Sequence, residues 1–257
     1  MFVDIHCHLA LKDFEKDLEQ IVERAKKANI AFAVSAGCNH EENSKTLDIA
    51  KKFPFVRPAL GLYPQESEKL SEEQINNIIS FIEKNRDRIS GIGEVGLDYK
   101  NTSKKYYIQK QKKIFEMMIE LSEKTKLPLI IHSRMAEEDA FDMVQSSCAK
   151  NAVFHCFMGK LAVAKKISDA GHFISIPTNI VFNPIVQEIA REIDINHLVV
   201  ETDSPFLSPF KYKRNEPAFV VEAVKKIAEL KKMKLDEVEE IIFDNSCNII
   251  NISKEII

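Results

Sequence analysis

No C-x-x-C pair occurs in this sequence. Its five cysteines, Cys7, Cys38, Cys148, Cys156 and Cys247, are an odd number behind an N-terminus that carries no export signal. Both features exclude a disulfide framework and predict reduced thiols that pack as small buried side chains in a cytoplasmic protein. No apolar run approaches the ~20 residues that cross a bilayer, so membrane insertion is not expected. No basic stripe runs along the chain, whose net charge is -3, and this argues against a duplex-binding surface; an anionic substrate would be caught locally. Pro/Gly-rich linkers, low-complexity segments and composition breaks are also missing, which predicts one domain over residues 1–257. A Gly-rich turn opening a first helix is absent too. The string GIGEVG (91–96) has the right letters, but it lies inside an apolar strand and runs on into LDY.

What the chain does contain is alternation. Strand-like runs at 2–8, 30–37, 56–63, 91–98, 127–133, 152–157, 172–177 and 197–203 are separated by amphipathic stretches. Ile114, Met117, Met118 and Leu121 mark a helix over 111–121, and Val220, Ala223, Val224 and Ile227 mark another over 219–231. Runs such as LPLII and HLVV are apolar without alternation, as parallel strands covered on both faces require. Eight strand–helix units in 257 residues fit an α/β fold, a single (β/α)8 TIM barrel, with the tail from about Met233 adding a closing helix.

In such a barrel the reactive groups sit at the C-terminal ends of the strands. His6 and His8 end the first strand, Glu94 lies in the fourth, His132 ends the fifth, His155 lies near the end of the sixth and Asp203 ends the eighth. Any one of these histidines alone reads as an ordinary core or rim residue. Six imidazole and carboxylate groups on strands that converge on one mouth predict a metal site, because burying them without a cation would leave costly unpaired polar groups. Six donors exceed the needs of one four-coordinate ion, so two divalent ions are expected, with Glu94 as the bridge. Their identity stays open among zinc, magnesium, manganese and nickel. His40, His172 and His197 fall at strand starts or in helical segments and are read as structural. Alternation puts Asp4 on the same strand face as His6 and His8, where it is expected to orient an imidazole, while Cys7 faces the helices.

In order along the chain, VDIHCH, GEVGLDY (93–99), IIHSR (130–134), FHCFMG (154–159), ETDSPFLSP (201–209) and RNEP (214–217) resemble the motifs of the TatD-like metal-dependent deoxyribonucleases of the amidohydrolase superfamily. The resemblance covers residues 2 to about 217. It implies a hydrolase in which His6, His8 and Asp203 hold one ion and His132 and His155 the other, with Glu94 shared. It implies too that a metal-activated water attacks a phosphodiester at a nucleic-acid end while Asp203 takes or steers its proton, so Asp203 and Glu94 are the catalytic candidates. Glu201 would meet a ligand or substrate, or support a metal ligand from behind. Arg134 would hold a phosphate oxygen, or pair with Glu137 or Glu138 on the surface. In the basic loop Lys211, Lys213 and Arg214, the arginine would contact phosphate or order the loop against a carboxylate.

The chain departs from that pattern after strand three, where GLYPQ puts Tyr63 in the place of the histidine of a G-x-H-P motif. A phenol of pKa ~10 is a poor proton shuttle, so Tyr63 and Gln65 are expected to reshape the substrate pocket. The competing expectations are a hydrolase of another bond on the same two-metal platform, such as an aminoacyl-tRNA ester, a lactone, an amide or a phosphotriester, and a metal-binding protein without turnover. The expected partner is a single-stranded nucleic-acid end or a small ester substrate, with no protein partner and no membrane.

Overall fold

The computed structural model describes residues 1–100, 102 and 104–253. Eight strands, β1 (Phe2–Cys7), β2 (Ile30–Gly37), β3 (Val56–Leu60), β4 (Gly91–Asp98), β5 (Leu129–Arg134), β6 (Val153–Phe154), β7 (Phe173–Pro177) and β8 (Leu198–Glu201), form one sheet in sequence order. Every adjacent pair is parallel, which requires a crossover between neighbours. The crossovers are helices α1 (Leu18–Lys27), α2 (His40–Lys52), α3 (Pro64–Glu68), α4 (Glu72–Lys84), α5 (Lys105–Thr125), α6 (Glu137–Gln145), α7 (Leu161–Asp169) and α8 (Pro184–Glu192). After β8 come α9 (Val220–Lys231) and α10 (Leu235–Ile249), and α10 packs against β1 and β8 as the closing helix. No described helix is long and apolar enough to cross a membrane.

The sheet closes on itself at the end that matters for chemistry. Asp203 N donates to His6 O and His8 N to Ser204 O, each at 2.9 Å, joining the last strand to the first just where the expected ligands emerge. One layer deeper, Asp4 accepts from Thr202 N at 2.9 Å and from the Thr202 hydroxyl at 2.5 Å. The expectation that Asp4 orients an imidazole is therefore corrected: its oxygens are taken by Thr202 and by the His6 backbone N–H at 3.3 Å.

Several elements are shorter than their hydrophobic pattern. The third run ends at Leu60 because Asn43 takes both polar groups of Gly61, accepting from its N at 3.0 Å and donating to its O at 2.8 Å, after which Pro64 opens α3. The sixth run narrows to Val153–Phe154, since Cys156 turns the chain through a left-handed φ of 46°. The eighth stops at Glu201 for the same reason, with Asp203 at φ 53°. Helix starts carry their own signals: a reciprocal Ser71/Gln74 capping box begins α4, and Asn39 accepts from Glu42 N at the start of α2.

Candidate metal centre

Two strands set the first donor pair. His6 and His8 leave β1 with their rings at 88° and their Nε2 atoms 3.1 Å apart. Asp203 Oδ1, brought over by the β8-to-β1 closure, stands 3.6 Å from His6 Nε2 and 3.3 Å from His8 Nε2. Across the mouth His132 Nδ1 and His155 Nε2 face each other at 3.2 Å. Glu94 lies between the pairs. Its Oε1 is 2.7 Å from His132 Nδ1 and 3.0 Å from His155 Nε2, while its Oε2 is 3.4 Å from His8 Nε2 and 3.6 Å from His6 Nε2. Small residues let β4 deliver that carboxylate: a Cβ on Gly61 would come within 2.4 Å of Glu94 O, and one on Gly96, at φ 135°, within 2.1 Å of His132 O.

This donor set fits divalent cations. Two ligand atoms each ~2.1 Å from one ion stand ~3–3.5 Å apart, which is the spacing of the facing nitrogens and oxygens. The donor atoms of His6, His8 and Asp203 all lie within 4.8 Å of one another, as do those of His6, Glu94 and His155. Electrostatics agree with the spacing. Burial pulls the His8 imidazole down, but the Asp203 hydrogen bond and Glu94 outweigh it and push it up to about 9. His155 and His132 are raised by their carboxylate neighbours against the same burial. His6, fully buried and beside His155, is lowered. Against their own burial, Glu94 is held well below the usual carboxylate range by His155 and His132, and Asp203 is held low by His6 and His8. The carboxylates thus call for positive charge at the place where a cation would supply it.

Behind the donors, His8 Nδ1 lies 3.3 Å from Ala36 O, a contact that, made by an Nδ1–H, would turn the Nε2 lone pair toward an ion. Glu201 is fully buried, with Oε1 3.4 Å from His155 Nδ1. Of the two places expected for Glu201 it occupies the one behind His155, outside the pocket lining.

Asp98, which sequence reasoning passed over, anchors the pocket wall. Its Oδ2 accepts from the Tyr63 hydroxyl at 2.9 Å, from Arg134 Nε at 3.1 Å and from Arg134 Nη2, and it lies 3.4 Å from His132 Nε2. Burial raises its carboxyl, but His132 and Arg134 hold it well below the usual range. The signal was available: Asp98 is four residues beyond Glu94, so strand parity puts both on one face. Arg134 thereby meets Asp98 and neither Glu137 nor Glu138, the surface partners expected for it.

Cys38 is a second omission. Instead of serving only as packing, its Sγ stands 3.6 Å from Glu94 Oε2 at the pocket edge. Cys156 lines the same pocket, and Cys148 is exposed, so only Cys7 and Cys247 are buried packing residues as expected. Burial, with Glu94 and Glu42 close by, pushes the Cys38 thiol well up.

The pocket over these groups is about 520 Å³, lined among others by His8, Cys38, Tyr63, Arg134, Asp203 and Phe206. Arg214 lies elsewhere: it pairs with Asp17 Oδ2 at 2.5 Å, donates to Asp13 O and lies over the Phe14 ring at 4.7 Å, the loop-ordering alternative of its two expected contacts. Glu216 holds Arg24 through bonds of 2.8 and 2.7 Å, and Asn215 donates to Thr202 O, Phe206 O and Thr178 Oγ1, so the RNEP segment ties the loop after β8 to the barrel. His40, His172 and His197 lie outside the pocket lining.

The sequence model of the TatD-related DNase family matches residues 3–251. The chain belongs to the TatD-related DNase family. It is 33% identical to an uncharacterized metal-dependent hydrolase of Methanocaldococcus jannaschii, covering 96% of this chain and 95% of that one. It is 32% identical to the human deoxyribonuclease TATDN3, covering 96% and 93%. Among solved structures, the TatD homolog YjjV of Escherichia coli superimposes with a TM-score of 0.91 over 98% of both chains at 23% identity, which shows the shared TatD barrel.

Proposed function

We propose that this TatD-family chain is a divalent-metal-dependent phosphodiesterase that removes nucleotides from single-stranded nucleic-acid ends, working as one barrel domain with two ions per chain. The observation that carries the reading is the split of Glu94, one carboxylate oxygen turned to each histidine pair. Two ions, one among His6, His8 and Asp203 and one between His132 and His155 with Glu94 common to both, would supply Lewis acidity and an ionisable water. The human relative's name, deoxyribonuclease, supports a nucleic-acid substrate.

The chain's own groups then divide the work. Asp203 is partly exposed at the mouth and, among the described residues, its side chain pairs with His6 and His8, so it is placed to accept the proton of the attacking water. Arg134, steadied by Asp98, offers its remaining N–H groups to a non-bridging phosphate oxygen. Tyr63, whose hydroxyl is committed to Asp98, shapes the wall rather than shuttling a proton; burial and the Glu94 and Asp98 charges keep it in the phenol form. Glu201 stands behind the ring of His155, its Oε1 3.4 Å from Nδ1, and favours the ring's positive charge or its Nδ1–H form.

The test is incubation of the purified protein with end-labelled single-stranded DNA and RNA in magnesium, manganese or zinc. Stepwise shortening from one end, abolished in Glu94→Gln, is the expected result. No shortening with any ion, together with Glu94-dependent hydrolysis of a small ester or amide, would transfer the assignment to another bond on the same platform.

A further inference from the structure

The mouth of the barrel has two unlike halves. On the loops that follow β5 to β8, large apolar side chains stand in solvent: Met135 is 66% exposed, Phe182 63%, Phe206 55% and Tyr212 95%. Among the described residues, none of the loops after β1, β2 and β3 carries an exposed large apolar side chain; the carboxylates that line the pocket beside the metal-centre groups, Glu42, Glu66 and Glu137, come from the starts of α2, α3 and α6. A soluble surface does not concentrate exposed aromatics around one edge of a cavity without a use for them.

The loop after β8 joins that apolar half to the metal centre. Phe206 lines the pocket, with its ring centroid 6.3 Å from that of His8. Six residues on, Tyr212 lies beneath Lys211 Nζ at 4.9 Å, and Lys213 Nζ lies over Phe219 at 4.3 Å and Phe210 at 5.5 Å. The arginines of this region are neutralised, Arg214 by Asp17 and Arg24 by Glu216. No carboxylate pairs with Lys211 or Lys213 among the described residues, so both ammonium groups are left for a mobile anion.

Resting on the phosphodiesterase reading above, we infer that the Phe206–Lys213 loop is a stacking platform that takes the single strand behind the end being cut. Bases lie on Phe206 and Tyr212, phosphates pass Lys211 and Lys213, and the strand leaves the pocket over the β8 side. Aromatic faces accept any base, and the lysines read only phosphate, so the platform confers preference for unpaired strand without sequence preference.

The experiment is equilibrium binding of the full-length, metal-loaded protein to a hydrolysis-resistant phosphorothioate oligothymidine and to its abasic counterpart, which keeps the charges and lacks the bases. The expected result is about 5- to 150-fold tighter binding of the base-bearing strand, with that ratio falling toward one in a Phe206→Ala/Tyr212→Ala variant. Equal binding of the two strands by the unsubstituted protein, a ratio untouched by the substitutions, or no binding of either strand overturns the platform. Hydrolysis of a small phosphodiester by the same preparation reports the metal-centre reading alone: its absence beside a base-dependent affinity defeats that reading and leaves the platform standing, and its presence without base dependence does the reverse.

Discussion

Asp4 and Thr202 are joined by two hydrogen bonds, the carboxylate accepting both the backbone N–H and the hydroxyl, at 2.9 and 2.5 Å. Through this pair the first strand of the barrel is fastened to the last, one layer beneath His6, His8 and Asp203. Burial pushes the Asp4 carboxyl well up, while the Thr202 bonds pull it down. An amide keeps one oxygen to accept from the Thr202 N–H and an N–H group to meet its hydroxyl. Asp4→Asn is expected to be nearly neutral in denaturant unfolding, whereas Asp4→Ala, which orphans the buried Thr202 donors, is expected to cost about 1–3 kcal/mol. Equal losses in the two variants would show that the contact does not hold the strands together.

Glu201 offers a separate test of the histidine it touches. Glu201→Gln keeps volume and removes charge behind His155, and divalent-ion affinity measured by chelator competition is expected to fall about 10- to 100-fold with little change in fold. An unchanged affinity would leave Glu201 as mere barrel filling.

The barrel and the clustering of the candidate donors were legible because their signals are local and periodic: strand parity placed Asp4, His6 and His8 on one face, and rim position picked out Glu94, His132, His155 and Asp203. What escaped depends on partners distant in sequence. Arg214 meets Asp17 and Glu216 meets Arg24 across nearly the whole chain, and no local pattern announces either pair. Asp98 was hidden by its apolar strand, although its parity with Glu94 gave it away. The shortening of the sixth and eighth strands follows from left-handed turns at Cys156, a residue type that seldom adopts that conformation, and at Asp203, a type that tolerates it without announcing it in the sequence.

Arg134 is held at one edge by Asp98 and open at the other. In Arg134→Lys the planar fork is lost, and kcat/KM for an oligonucleotide is expected to drop about 10- to 150-fold, mostly through KM. A fall confined to kcat would place Arg134 in the chemical step instead of in phosphate binding.

Away from the candidate metal centre, His172 is buried with no hydrogen-bond partner for Nδ1 among the described residues, and burial, followed by repulsion from His197, lowers its pKa from the usual 6.5. The folded state therefore binds this proton less readily than the unfolded chain. Its stability is intact above pH 6.5 and declines as pH falls below that value toward the folded pKa. His172→Leu is expected to flatten that part of the stability–pH curve relative to the unsubstituted protein; curves that stay parallel would contradict the assignment.

Glu94, with one oxygen toward each histidine pair, is placed to link two ions into one hydrolytic centre. Elemental analysis of protein reconstituted with zinc or manganese and freed of excess metal tests this. Two ions per chain are expected in the unsubstituted protein, and in Glu94→Gln at most one, with phosphodiester hydrolysis lost in parallel. Less than about one ion per chain in the unsubstituted protein, or two ions and full activity in Glu94→Gln, would contradict it.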